Sequence, residues 1–179
     1  MKNKSLILQI LLAFMFFSIL NAILSDIWYY NLDHLKGLKV WNAEEHEGKE
    51  SIANIRDKQW LEFAYNSIYW TLLLLKFYFL LGLYYLFTIF RSFEKEKYFS
   101  SSIINSFRKA GSVFLLYCIA VFVLKALFHL IFYSKNIAKH FYKFDESYTL
   151  LFICGLAFYA FAEIFKKAQK LQEENDLTI

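Results

Sequence analysis

The chain has 179 residues, of which 58% are hydrophobic and 21 are Phe, and its formal net charge is only +4. That length fits one domain. A soluble globule of this size has too little polar surface to cover so much apolar area, and so small a charge excess gives no basis for direct nucleic-acid binding. The apolar residues fall into four blocks with the charges gathered between them. This predicts an all-α polytopic membrane protein, with four transmembrane helices in a bundle forming a single domain over residues 1–179.

The first span is expected over about 6–24, after the short basic start Met1-Lys2-Asn3-Lys4. Its apolar run exceeds the 7–15 residues of a signal-peptide core, and Leu20-Asn21-Ala22 has a large residue where a cleavage site wants a small one. The block therefore reads as a retained helix. An outer loop follows over 25–66, with more acidic than basic residues. Within it, Asn42-Ala43-Glu44-Glu45 has capping-box spacing. From Ser51 onward, Ile52, Ile55, Trp60, Leu61 and Phe63 predict a helix leading into the second span, with Trp60 and Phe63 at the membrane surface. The run Glu44, Glu45, His46, Glu47 is a solvated acidic face and not a metal site, because consecutive helical residues point in different directions.

The second span is expected over 67–90 and the third over 111–133, joined by an inner loop over 91–110. In that loop Ser100, Ser101 or Ser102 is placed to cap a short helix carrying Ile103, Ile104 and Phe107. The fourth span is expected over 148–165, and its helix continues through Lys166–Glu174 into a cytoplasmic tail over 166–179. Trp28, Tyr29, Tyr30, Tyr65, Trp70, Tyr133 and Tyr148 gather at span ends on one side, as an aromatic belt does. There is no proline and there are five glycines, which argues against the broken helices that transporters often use. Cys118 and Cys154 each lie inside an apolar block, without a CxxC partner, and read as small buried apolar residues.

Basic residues set the direction of insertion. Arg91, Lys95, Lys97, Arg108 and Lys109 lie between the second and third spans, and Lys2, Lys4, Lys166, Lys167 and Lys170 flank the outermost spans. These outnumber the basic residues on the other side. Long loops translocate largely regardless of charge, so 25–66 is placed outside and both termini are placed in the cytoplasm.

Two lysines, Lys76 and Lys125, interrupt apolar spans, roughly 12–14 Å below the outer surface at 1.5 Å per helical residue. An ionisable group at that depth is a functional candidate. His129 lies one turn above Lys125, and Asn21 and Ser18 lie in the outer half of the first span, so Lys76, Lys125, His129 and Asn21 form a candidate intramembrane polar cluster. No carboxylate falls within a span at that depth. The lysines either snorkel outward, pair with Asp26, Asp33, Asp145 or Glu146 folding in from outer loops, line a wet pocket for an anion or lipid headgroup, or lose their charge to desolvation. The expectation is that both face the bundle interior or a water-filled cleft.

The tail Ala162-Glu163-Ile164-Phe165-Lys166-Lys167, followed by Leu171-Gln172-Glu173-Glu174-Asn175-Asp176-Leu177-Thr178-Ile179, resembles the end of a four-span bacterial membrane protein family, domain of unknown function 2975. The segment Phe99-Ser100 through Phe107-Arg108-Lys109-Ala110-Gly111 is similar to that family's middle motif, although Ser101-Ser102 stand where a more charged helix start is the family's habit. The resemblance implies no known chemistry. It implies a regulatory setting, because members often lie beside a gene for a small helix-turn-helix regulator, and a bacterial inner membrane as the location.

The four histidines, His34, His46, His129 and His140, have no partner at catalytic spacing. No enzyme activity, cofactor or metal is expected. The leading expectation is a membrane sensor or regulator, with the lipid bilayer as its surroundings and a cytoplasmic helix-turn-helix protein as partner. The alternative is a small oligomeric transporter or channel component, and homo-oligomers fit either reading. Leu171, Leu177 and Ile179 stay apolar beyond the membrane. They are expected to join Ile103, Phe107 and Arg108 in one partner-docking surface on the cytoplasmic side.

Overall fold

The computed structural model describes residues 2–32, 59–94, 100–132 and 146–176. All four stretches are helical: α1 (Lys2–Leu32), α2 (Gln59–Glu94), α3 (Ser101–Phe132) and α4 (Glu146–Asp176). No strand occurs among the described residues. Each helix is long and apolar enough to cross a membrane, over Ser5–Trp28, Phe63–Phe93, Ser101–Phe128 and Tyr148–Asn175. The absence of proline leaves no missing N–H to break these ladders, and in lipid the backbone has no other partner. The protein is therefore a multi-pass membrane protein.

Several helix limits differ from those read in the sequence. Helix α1 continues past Leu24 to Leu32 and takes in Ser25 and Asp26. Helix α3 begins at Ser101, so the expected short loop helix and the third span are one helix. The Ser100 carbonyl accepts from the N–H groups of Ile103 and Ile104 at 3.0 and 3.3 Å, which starts the α3 ladder at the predicted serines. Helix α4 runs unbroken to Asp176, two residues past the expected continuation through Glu174. The capping box at 42–45, the acidic run at 44–47 and the lead-in at 51–58 lie outside the described residues, as does Tyr133.

The chain divides into two compact units. The first comprises Met1–Phe17, Tyr78–Ile119 and Asp145–Ile179. A hydrophobic cluster in it joins Ile89 of α2, Ile103, Ile104 and Phe107 of α3, and Ala162 of α4, with Leu86, Phe93, Phe158 and Phe165 packed around them. Phe107 is the hub. Its ring stacks on Phe165 at 5.3 Å between centroids, and Phe158 and Phe161 approach at 6.0 and 5.9 Å. Ser5 ties α1 to α2 here, donating to the Phe90 carbonyl at 2.7 Å. That bond satisfies a buried hydroxyl that lipid cannot serve.

The second unit comprises Ser18–Phe77 and Ala120–Phe144. Among the described residues, Ile23 of α1, Tyr65, Ile68, Leu72 and Leu73 of α2, and Val121 and Phe128 of α3 are buried in it. Tyr65 packs against Phe128, with centroids 6.3 Å apart. Tyr65 is therefore an interior residue and not part of an aromatic belt, whereas Trp28 and Trp70 are exposed.

Within the apolar 18-residue window of each span, α2 and α3 are the most buried, at 28% and 33%, against 6% for α1 and 11% for α4. The exposed side chains of α1 include the apolar Leu11, Phe14 and Phe17. In lipid such a surface is matched to its solvent and marks no binding site by itself.

Candidate functional site

In the second unit the Lys76 ammonium forms an ion pair with the Asp26 carboxylate. Tyr69, seven residues before Lys76 on α2, donates its hydroxyl to the Asp26 backbone carbonyl at 2.8 Å. A seven-residue separation returns to the same helix face, so α2 grips Asp26 by both its carboxylate and its backbone. Among the four resolutions open from sequence, Lys76 takes the pairing one. Its partner comes from a helix and not from a loop. Both side chains are half-buried, and the pair cancels a charge that alone costs about 2.5–3.5 kcal/mol in the bilayer centre.

Of the other residues of the expected polar cluster, Asn21 does not join Lys76. Asn21 is exposed. It lies roughly 140° around α1 from Asp26 at 100° per residue, on the side away from Lys76. Ser18 is exposed as well, and Lys125 is half-buried on α3. The side chain of His129 lies outside the described residues.

In the first unit a second polar constellation runs along the seam of α3 and α4. Gln169 donates to the Ser101 hydroxyl at 3.4 Å, Arg108 pairs with Glu163, Ser112 shares a hydrogen bond with Tyr159, and the Cys118 thiol meets the Tyr148 carbonyl at 3.5 Å. Positions rise on α3 as they fall on α4, the mark of an antiparallel pair in fixed register. Gly111 and Gly155 let the two backbones close up. A Cβ on Gly111 would lie 2.9 Å from the Gly155 carbonyl oxygen, closer than real Cβ atoms come. Lys109, on the neighbouring side of α3, places its ammonium 5.5 Å from the centroid of the Tyr85 ring on α2, a cation–π contact.

Sequence reasoning missed this seam. The sequence reading places Arg108 in partner docking and gives Glu163 no partner on another helix. The signal available was that Glu163 is a carboxylate at the inner end of the fourth span, level in an antiparallel hairpin with Arg108 at the start of the third. The docking assignment needs correction at two further positions. Ile103 and Phe107 are only 1% and 6% exposed and belong to the aromatic cluster of the first unit, so they offer nothing to a partner. Leu171 is 61% exposed on the polar end of α4, while Leu177 and Ile179 lie outside the described residues.

Among the described residues no group of His, Cys, Asp or Glu has the proximity to hold a metal ion. Cys118 is buried and Cys154 half-buried, and both are free thiols.

No curated protein and no solved structure matches the chain. A family model described as protein of unknown function, DUF2975, matches residues 45–179. That stretch holds α2, α3 and α4, with the whole of the Arg108–Glu163 seam, and ends short of α1 and Asp26. With well over half of its residues matched, and with the middle and tail motifs both inside the match, the chain belongs to the DUF2975 family of unknown function.

Proposed function

We propose that this protein is a regulator of a bacterial cytoplasmic membrane that holds a cytoplasmic partner on the polar end of α4. The observation that carries the reading is the length of α4. About 20 residues cross a bilayer core, and α4 continues from Glu146 to Asp176 without a break. The stretch beyond Phe165 is a charged helix, with Lys166, Lys167, Lys170, Glu173 and Glu174 exposed around an exposed Leu171. A leucine held in water on a solvated helix contributes nothing to folding, whereas contact with a partner removes it from water. A continuous helix also links a docking surface rigidly to the membrane segment, so a shift of the span moves the surface. The outer loop 25–66 is the proposed input. The family's regulatory setting makes a small helix-turn-helix protein the proposed partner, held away from DNA until the input changes.

The test is purification of the tagged full chain from its host in mild detergent, with identification of the proteins that come with it. A small DNA-binding protein is expected with the parent. Its recovery is expected to fall at least tenfold with Leu171→Asp, and also with deletion of 175–179, while membrane insertion is unchanged. Equal recovery by the parent and both variants would show that the end of α4 is not the docking element.

A further inference from the structure

Asn21 lies within the apolar span Ser5–Trp28 of α1, about 10 Å along the helix axis from Trp28 at 1.5 Å per residue. With a hydrocarbon core about 30 Å thick, that is inside the lipid tails. The Asn21 side chain is exposed, and among the described residues its amide has no hydrogen-bond partner. A lysine at such a depth can extend its stem toward the headgroups, but an asparagine amide sits one carbon from Cβ and has no such reach. Lipid supplies neither donor nor acceptor, so an amide left there loses the bonds it makes with water.

The neighbours of Asn21 suit a close helix contact. Ser18, Ala22 and Ser25 follow at helical spacing on the same side of α1. Ser18 and Ala22 are exposed and Ser25 is half-exposed. Ile23, the fully buried α1 residue of this unit, lies on the other side. Small side chains let two backbones approach, and an asparagine amide carries both a donor and an acceptor. Across a two-fold axis the same residue meets itself, and each amide can donate to the carbonyl of the other. Self-complementarity of this kind favours a second copy over an unlike partner, which would need its own amide at matching depth.

We propose that α1 packs against α1 of a second copy of this chain within the membrane, through reciprocal Asn21 hydrogen bonds flanked by Ser18, Ala22 and Ser25. The full chain, labelled with donor or acceptor dye and placed in phosphatidylcholine–phosphatidylglycerol bilayers, is expected to show energy transfer that rises with protein density and fits a dimer. Asn21→Leu is expected to weaken association roughly five- to thirtyfold, the range of an interhelical hydrogen bond in lipid. Asn21→Gln, which keeps the amide, is expected to retain most of it. In separate chains lacking the native cysteines, oxidation is expected to join Ser25→Cys copies and to leave Ile27→Cys copies monomeric. The proposal is overturned if Asn21→Leu associates as tightly as the parent. It is overturned equally if the parent is monomeric at every density, or if Ile27→Cys crosslinks as readily as Ser25→Cys.

Discussion

Asp26 shows why a counter-ion is hard to find in a membrane sequence. Hydropathy ends the first span at Leu24, and Ser25-Asp26 looks like the start of a loop. Yet Ile27 and Trp28 follow, and α1 holds its ladder through them to Leu32. The carboxylate is therefore inside a helix, where Lys76 reaches it. That Lys76 required a partner was legible from its place in an apolar span, but the partner's identity depended on a helix end, the feature sequence patterns fix least well. Asp26→Asn removes the carboxylate and leaves the ammonium in the membrane. It is expected to lower stability by about 2 kcal/mol, somewhat under the insertion cost of a central lysine because the pair is half-exposed. The double variant Asp26→Asn/Lys76→Leu removes both charges and is expected to recover most of the loss. Unfolding of the reconstituted protein by a steric-trapping or denaturant titration measures both. A double variant no more stable than Asp26→Asn would mean that the pair is not the source of the effect.

At the scale of elements, the α3–α4 hairpin is fixed by two features of different legibility. The apolar character of each helix was plain from the sequence, as was the start of α3 near Ser100–Ser102. That the helix then runs through Arg108 and Lys109 without interruption was not, because those charges resemble a loop when counted for hydropathy. In the structure Arg108 is paired with Glu163 and Lys109 lies over Tyr85, so neither charge requires a break. The same oversight assigned Ile103 and Phe107 to a surface, although on a continuous α3 they turn inward to Ile89, Phe165 and Ala162. Truncating the hub, Phe107→Ala, is expected to cost about 3 kcal/mol, the low end of the range for a buried ring. Gly111→Ala tests the backbone approach. Its methyl meets a carbonyl and not a flexible chain end, so the helices must separate, at a cost of about 1–3 kcal/mol. Alanine favours a helix over glycine by about 1 kcal/mol, so loss of stability with Gly111→Ala locates the effect in the contact; an unchanged Gly111→Ala protein would mean that the hairpin is looser than this packing.

For the whole molecule, the class and the number of helices were readable because lipid permits few alternatives: runs of about 20 apolar residues without proline have to be helices. The polar contacts between helices were not readable, because they depend on which faces meet, and the apolar residues of α1 fall on every side of it and so give no stripe to orient it. Direction across the membrane rests on another kind of signal, the basic residues in short segments. Four spans bring 2–4, 95–100 and 166–176 to one side. That side carries Lys2, Lys4, Arg91, Lys95, Lys97 and the Lys166–Lys170 cluster, and cytoplasmic loops retain such residues during insertion. The segment 33–58 is long enough to cross with little regard to its charge, and it carries more acidic than basic residues. The expected arrangement therefore has the exposed end of α4 in the cytoplasm, as a cytoplasmic docking helix requires. In a chain whose native cysteines are replaced, a membrane-impermeant maleimide added to intact cells is expected to label Asn42→Cys and Asn136→Cys. It is expected to miss Ser101→Cys, which is exposed at the start of α3, until the membrane is opened. Labelling of Ser101→Cys in sealed cells would invert the topology and place the end of α4 outside, beyond the reach of any cytoplasmic partner.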